Sequence, residues 1–140
     1  MKGRFFLDTN VFVYTFDGRS PRKQKQARAL VDSALESREG VISYQVVQEF
    51  LNVALRKFER PMLPAEAERF LQRVLLPLRE VFPDGPLYSE ALSIRQETGW
   101  TFYDALIVSS AAAAECRVLF SEDLEQGRVV RGVEIRNPFA

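Results

Sequence analysis

The strongest constraint on the fold is an alternation. Short apolar runs, too brief for helices, are separated by longer stretches whose apolar residues recur at helical spacing. Arg4 to Leu7, Val41–Ile42, Val81–Phe82, Arg117 to Phe120 and Val133 to Arg136 read as strands. Between them, Thr9 to Phe16 reads as a short helix, and a longer one opens at Pro21 and runs to about Ser37 with Ala27, Leu30, Val31, Ala34 and Leu35 on one face. Further helices are expected from Tyr44 to about Phe58 behind Ser43 as N-cap, from Pro64, up to Thr98 before Gly99, and from Phe102 to Glu115. Parallel strands need a crossover, usually a helix. The alternation therefore predicts an α/β layer fold, a mainly parallel central sheet flanked by helices, in a single domain spanning 1–140.

The chain's 46% hydrophobic and 27% charged residues suit a globular domain and not a disordered one. No internal repeat or low-complexity linker divides it. A formal net charge of +0 argues against nucleic-acid binding through overall positive charge and leaves room for a local basic surface. No apolar stretch is long enough to span a membrane, Met1 to Asp8 lacks the apolar run of a signal peptide, and the lone Cys116 excludes an internal disulfide. A cytoplasmic location is the expectation.

Chemistry is bounded by the histidine count, which is zero. Triads built on His are impossible, and a zinc site would lack its nitrogen and sulfur ligands. Carboxylates, hydroxyls and metals bound through oxygen remain, which points to magnesium, manganese or calcium.

The acids gain meaning from their places. Asp8 directly follows the first strand and Asp123 a later one, and in parallel sheets ligands bind beyond the carboxyl ends of strands. Glu49 falls at the border of the apolar stripe of its helix, beside Val46 and Val53, in a half-buried position. Asp104 lies in the first turn of its helix, where the positive helix end favours a carboxylate. Each also has an ordinary structural reading: Asp8 as a helix cap, Glu49 as a solvated helix residue, Asp104 as partner of Thr101 in a capping-box variant, Asp123 as a turn residue. Together they pose a problem, because two charges about 4 Å apart repel by roughly 4 kcal/mol at an effective dielectric of about 20. A divalent cation among them resolves it.

At these residues the sequence resembles a PIN domain, in particular a VapC-type toxin ribonuclease. Phe6-Leu7-Asp8-Thr9-Asn10 is similar to the first family motif, and Ser43 with Glu49-Phe50 to the second. Phe102-Tyr103-Asp104-Ala105-Leu106-Ile107 is similar to the third, and Leu119-Phe120-Ser121-Glu122-Asp123-Leu124 to the fourth. The motifs cover nearly the whole chain in order, with no departure at the acidic positions. The resemblance implies a metal-dependent endoribonuclease that hydrolyses RNA phosphodiester bonds with one or two Mg2+ or Mn2+ ions. Asp8, Glu49, Asp104 and Asp123 would be its catalytic and metal residues, with Thr9, Asn10 and Ser121 as polar support. It further implies a toxin paired with a VapB-like antitoxin, and a toxin homodimer. It assigns no role to Glu122.

Substrate contacts are less defined. The basic segment holding Arg19, Arg22, Lys23 and Lys25 reads as a solvated helix face or as an RNA-phosphate contact. Trp100, Phe102 and Tyr103 read as core or interface residues before base-stacking ones. Competing readings are a non-catalytic PIN-like RNA-binding module and a phosphoacceptor receiver domain. The receiver normally has two acids after its first strand and an aspartate after its third, where this chain has Val81-Phe82-Pro83. A haloacid-dehalogenase-like phosphatase would need a second carboxylate where Asn10 stands.

Overall fold

In the computed structural model, which describes residues 3–140, strand β1 (Phe5–Leu7) lies inside the sheet and is buried along its whole length. Met1 and Lys2, the start of the stretch read for a leader, lie outside the described residues. The other strands are β2 (Gly40–Ser43), β3 (Arg79–Val81), β4 (Val118–Phe120), β5 (Val129–Val130) and β6 (Val133–Arg136). Their order across the sheet is β3-β2-β1-β4-β6-β5, parallel throughout except for the β5–β6 hairpin. Continuous apolar runs such as Phe5-Phe6-Leu7 and Val118-Leu119-Phe120 suit this arrangement, since helices cover both faces of a parallel sheet.

The helices are α1 (Thr9–Tyr14), α2 (Pro21–Ser37), α3 (Tyr44–Arg56), α4 (Pro64–Phe70), α5 (Leu76–Leu78), α6 (Gly85–Thr98) and α7 (Phe102–Ala113). From β1 the chain steps one way to β2 and β3, then returns through α6 and α7 to β4 on the other side of β1. The reversal places a topological switch point between β1 and β4, where open α/β sheets form their ligand crevice. The two strands pair in register, Leu7 opposite Phe120, so Asp8 and Ser121 emerge side by side.

Packing follows the sequence periodicity. Val46, Phe50 and Ala54 are fully buried from α3, as are Ala27 and Ala34 from α2, with Val31 nearly so. Phe12, Phe16, Phe50, Phe58 and Phe70 form one aromatic cluster joining α1, α3 and α4, with Phe50 and Phe70 centroids 4.8 Å apart. Each such pair adds about 0.5–1.5 kcal/mol beyond simple burial. Between α4 and α5 the helix widens into a π turn (Leu71–Leu75). The cause is Pro77, which has no N–H to give and whose ring would crowd the carbonyl of Arg73 in a regular helix.

Several boundaries differ from the sequence reading. The third strand ends at Val81, and Phe82 is 52% exposed instead of being paired in the sheet; it leads into the turn at Pro83. Strand β5 was not anticipated, because two residues carry no readable periodicity. Ser43 holds the N-cap position of α3, yet its hydroxyl makes no capping bond. Gly40 is buried at the start of β2: a Cβ there would lie 2.2 Å from the Ala34 Cβ, so the glycine lets α2 pack tightly on the sheet.

Candidate active site

The register of β1 and β4 builds the first part of the site. The Asp8 N–H bonds the Phe120 carbonyl at 3.0 Å, which continues the ladder one residue past the strands. The Ser121 hydroxyl donates to Asp8 Oδ2 at 2.7 Å, and the Thr9 N–H donates to Oδ1 at 2.7 Å as α1 begins. Asp8 therefore does cap its helix, and the same carboxylate faces the crevice. Ser121 also accepts from the Asp123 N–H at 3.2 Å, tying the two motifs together.

Helices supply the rest. Glu49, half-buried on α3, accepts from the Thr9 hydroxyl at 2.8 Å and from Gln45 Nε2 at 3.4 Å. Asn10 donates its amide to Asp123 Oδ2 at 3.0 Å. Asp104, half-buried, sits in the first turn of α7, where its N–H bonds the Thr101 hydroxyl at 3.2 Å. All four acids line one open cleft of about 600 Å³, together with Thr9, Asn10, Gln45, Lys57 and Arg19.

The electrostatics are one-sided. Among the described residues, no Lys or Arg pairs with Asp8, Glu49, Asp104 or Asp123. Burial raises the Asp8 carboxyl to about pH 7, and the negative charges of Glu49 and Asp123 push the same way, against the bonds from Ser121 and the Thr9 N–H. Asp8 is thus held in a place that disfavours its own charge.

No group of three or more acidic, histidine or cysteine side chains among the described residues is placed to hold a metal ion by itself. The donor set nevertheless fits a hard divalent cation. The side chains bonded to the carboxylates of Asp8, Glu49 and Asp123 are the hydroxyls of Ser121 and Thr9 and the amides of Gln45 and Asn10, and Asn10 Oδ1 is buried with no hydrogen-bond partner. Magnesium retains several waters and takes one or two carboxylates, so close all-protein ligation is not required.

The basic segment divides. Arg19 lines the cleft and is paired with Asp17. Lys23 is bonded to Glu122 and to the Tyr14 hydroxyl, which gives Glu122 a structural role. Arg22 bonds the Phe139 carbonyl and Gln26, while Lys25 is exposed on α2 away from the cleft lining. Lys57, just after α3, lines the cleft and was not singled out in the sequence. Its signal was only a basic residue at a helix end, which is common. Trp100 is half-buried beneath the guanidinium of Arg128, which favours packing over base contact.

An open sheet whose switch point gathers carboxylates from β1, α3, α7 and β4 defines a class of acid-lined α/β proteins. Within that class the chain belongs to the PIN domain family, whose profile matches residues 5–132. The fold is similar to that of a toxin–antitoxin complex from Klebsiella pneumoniae, at 21% identity, TM-score 0.65, and coverage of 95% of this chain and 96% of that one. It is also similar to FitAcB from Neisseria gonorrhoeae, at 20% identity, TM-score 0.66, and coverage of 96% and 98%. The third is VapC20 of Mycobacterium tuberculosis, described as a sarcin–ricin loop cleaving toxin, at 18% identity, TM-score 0.54, and coverage of 85% and 91%. No curated protein matches the sequence. The receiver reading is set aside: the strand order here differs from the 2-1-3-4-5 order of that fold, and the PIN profile covers most of the chain.

Proposed function

We propose that the chain is a divalent-metal-dependent endoribonuclease, the toxin half of a VapBC-type pair. The observation that carries this reading is the convergence of Asp8, Glu49, Asp104 and Asp123 on one cleft without a cationic partner. Asp8, Asp104 and Asp123 would hold Mg2+ or Mn2+, as one or two ions, with Glu49 as a further ligand. Such an ion supplies an activated water near neutral pH and stabilises charge on the phosphate.

The protein's own groups do the positioning. Ser121 and the Thr9 N–H fix both oxygens of Asp8. Thr9 and Gln45 orient Glu49, and Asn10 turns Asp123 toward the cleft. Lys57 and Arg19 stand at the same opening, where they can meet the phosphates on either side of the scissile bond. Domain bounds of 1–140, a VapB-like antitoxin, a homodimer and a cytoplasmic setting complete the proposal.

The absence of a ready-made ligand trio favours a second reading, a non-catalytic PIN-like module that binds RNA. Cleavage of single-stranded and structured RNA with Mg2+ or Mn2+, with EDTA and with Asp8→Asn, separates the two. Metal-dependent cutting lost in Asp8→Asn supports the nuclease. RNA binding with no cutting in either metal supports the module.

A further inference from the structure

Gln45 is a poor choice of residue for stability. It sits in the first turn of α3 and is 8% exposed. Its Nε2 reaches two acceptors, Glu49 Oε2 at 3.4 Å and the Tyr103 carbonyl at 3.3 Å. Both distances exceed the usual N–H···O range of about 2.7–3.2 Å. Its Oε1 is buried with no partner. Turning the amide over would set oxygen against oxygen at both acceptors, so a flip cannot improve it. A buried acceptor left unpaired offsets what two stretched bonds contribute. Stability alone would favour Met or Leu here, in keeping with Val46, Phe50 and Ala54, which α3 buries fully.

The amide instead joins two halves of the cleft. Asp8 and Asp123 follow paired strands, and Ser121 ties them together. Glu49 and Asp104 stand on separate helices that have other main neighbours: α3 packs chiefly on α1, and α7 chiefly on α6. Among the described residues, the bond from Gln45 to the Tyr103 carbonyl is the one hydrogen bond between α3 and α7. Tyr103 immediately precedes Asp104. One side chain therefore ties the Glu49 carboxylate to the helix turn that carries Asp104. The other Glu49 oxygen accepts from the Thr9 hydroxyl at 2.8 Å, so neutral donors fix both oxygens and leave the charge in place.

We propose that Gln45 is a positioning residue, which holds Glu49 in register with Asp104 for the binding of a divalent cation. This role rests on the metal reading of the cleft and goes beyond it, because Gln45 acts through Glu49 and the α7 backbone and touches neither ion nor RNA. A carboxylate already held in place loses less freedom when an ion arrives, and partners of this kind commonly contribute about tenfold or more in metal affinity.

The test compares wild type with Gln45→Met, which removes the amide at nearly constant volume, and with Gln48→Met, the same change at an exposed position of the same helix. Glu49→Ala and Gln45→Met/Glu49→Ala complete a double-mutant cycle. Mn2+ affinity is read from the electron paramagnetic resonance of the free ion, and stability from urea titration in EDTA. Gln45→Met should bind Mn2+ about tenfold more weakly with its stability in EDTA unchanged or raised, and Gln48→Met should match wild type. In the Glu49→Ala background, Gln45→Met should weaken Mn2+ binding no further. Equal Mn2+ affinity in Gln45→Met and wild type overturns the proposal. So does a loss that persists in full without Glu49, or one matched by a fall in stability in EDTA, which makes Gln45 a core residue only. A wild type that binds no Mn2+ overturns it together with the metal reading. Cleavage is scored separately. A Gln45→Met protein that cuts RNA with the Mg2+ demand of wild type removes the positioning role and leaves the nuclease; weakened Mn2+ binding in proteins that cut no RNA removes the nuclease and leaves the positioning role.

Discussion

The acids of the cleft and the acids around Arg131 solve the same problem in opposite ways. Arg131, in the turn between β5 and β6, bonds Glu90 and Glu97 of α6 and the hydroxyl of Ser93. Those carboxylates are neutralised at the surface, and the bond to Arg131 holds Glu97 below the usual glutamate range. In the cleft, Asp8 is buried with only a hydroxyl and an N–H on its oxygens, and Glu49 and Asp123 see only Thr9, Gln45 and Asn10. A net charge of +0 conceals this partition. The ion pairs among the described residues all fall on other acids, Glu122 beside the cleft included. The contrast teaches that the protein leaves the cleft acids without an ion pair of their own, which is the condition the proposed metal site requires.

The largest effect should come from removing a cleft acid. Asp8→Asn keeps the shape and the helix cap but loses the charge, and RNA cleavage in Mg2+ should fall at least about a hundredfold. Glu122→Gln, one residue from Asp123, should keep cleavage within about fivefold, because its bonds hold Tyr14 and Lys23 and no reacting group. Equal losses in the two variants would erase the distinction between paired and unpaired acids.

The next effect is on stability without metal. The Asp8 carboxyl titrates at about 7 when folded and near 3.8 when unfolded. Between those values the folded protein binds the extra proton, so its stability is greatest below about pH 4 and declines as pH rises through 7. The loss is of order 4 kcal/mol at most. In EDTA, Asp8→Asn should flatten that slope and be more stable than wild type at pH 8, as measured by urea titration at several pH values. A wild-type stability that rises across this window would show that the carboxyl is stabilised by something on the protein itself.

Metal should then act on the cleft alone. Millimolar Mg2+ or Mn2+ should raise the wild-type melting temperature by a few degrees, about what a ligand at many times its Kd provides. Asp8→Asn should show little of this rise, whereas Glu97→Gln should show all of it. A rise of equal size in all three proteins would mean that the ion binds elsewhere.

How far this partition was readable in the sequence varies with position. Asp8 and Asp123 were legible because each directly follows an apolar run, and the carboxyl ends of parallel strands meet at one edge. Glu49 was legible from its place at the border of the α3 stripe, and Asp104 from the first turn of its helix, where the positive helix end favours a carboxylate. The pairing of Lys23 with Glu122 was not, because the partners are far apart in the chain and only the fold brings α2 beside the segment that follows β4. Lys57 was hidden for the same reason: its neighbour Arg56 looks alike, and the fold decides which one faces the cleft. The misplaced end of β3 came from reading Phe82 by its hydrophobicity, when Pro83 and the following turn already pull the chain out of the sheet.

The smallest effect is expected at the paired region. Arg131 is mostly covered, but Glu90 and Glu97 are about half exposed, so solvent screens their attraction. Arg131→Ala should cost no more than about 1 kcal/mol per ion pair at low salt, and less in 0.5 M salt, where screening lengths shrink to a few ångströms. It should leave cleavage and the Mg2+-induced rise in melting temperature unchanged. The same salt titration on wild type and Asp8→Asn should separate the two regions further. Salt weakens the attraction at Arg131 but leaves the cost of burying the Asp8 charge almost untouched, so the stability gap between wild type and Asp8→Asn without metal should change little with ionic strength. A gap that closes as salt rises would mean that the acidic neighbours of Asp8, and not its desolvation, dominate the cleft.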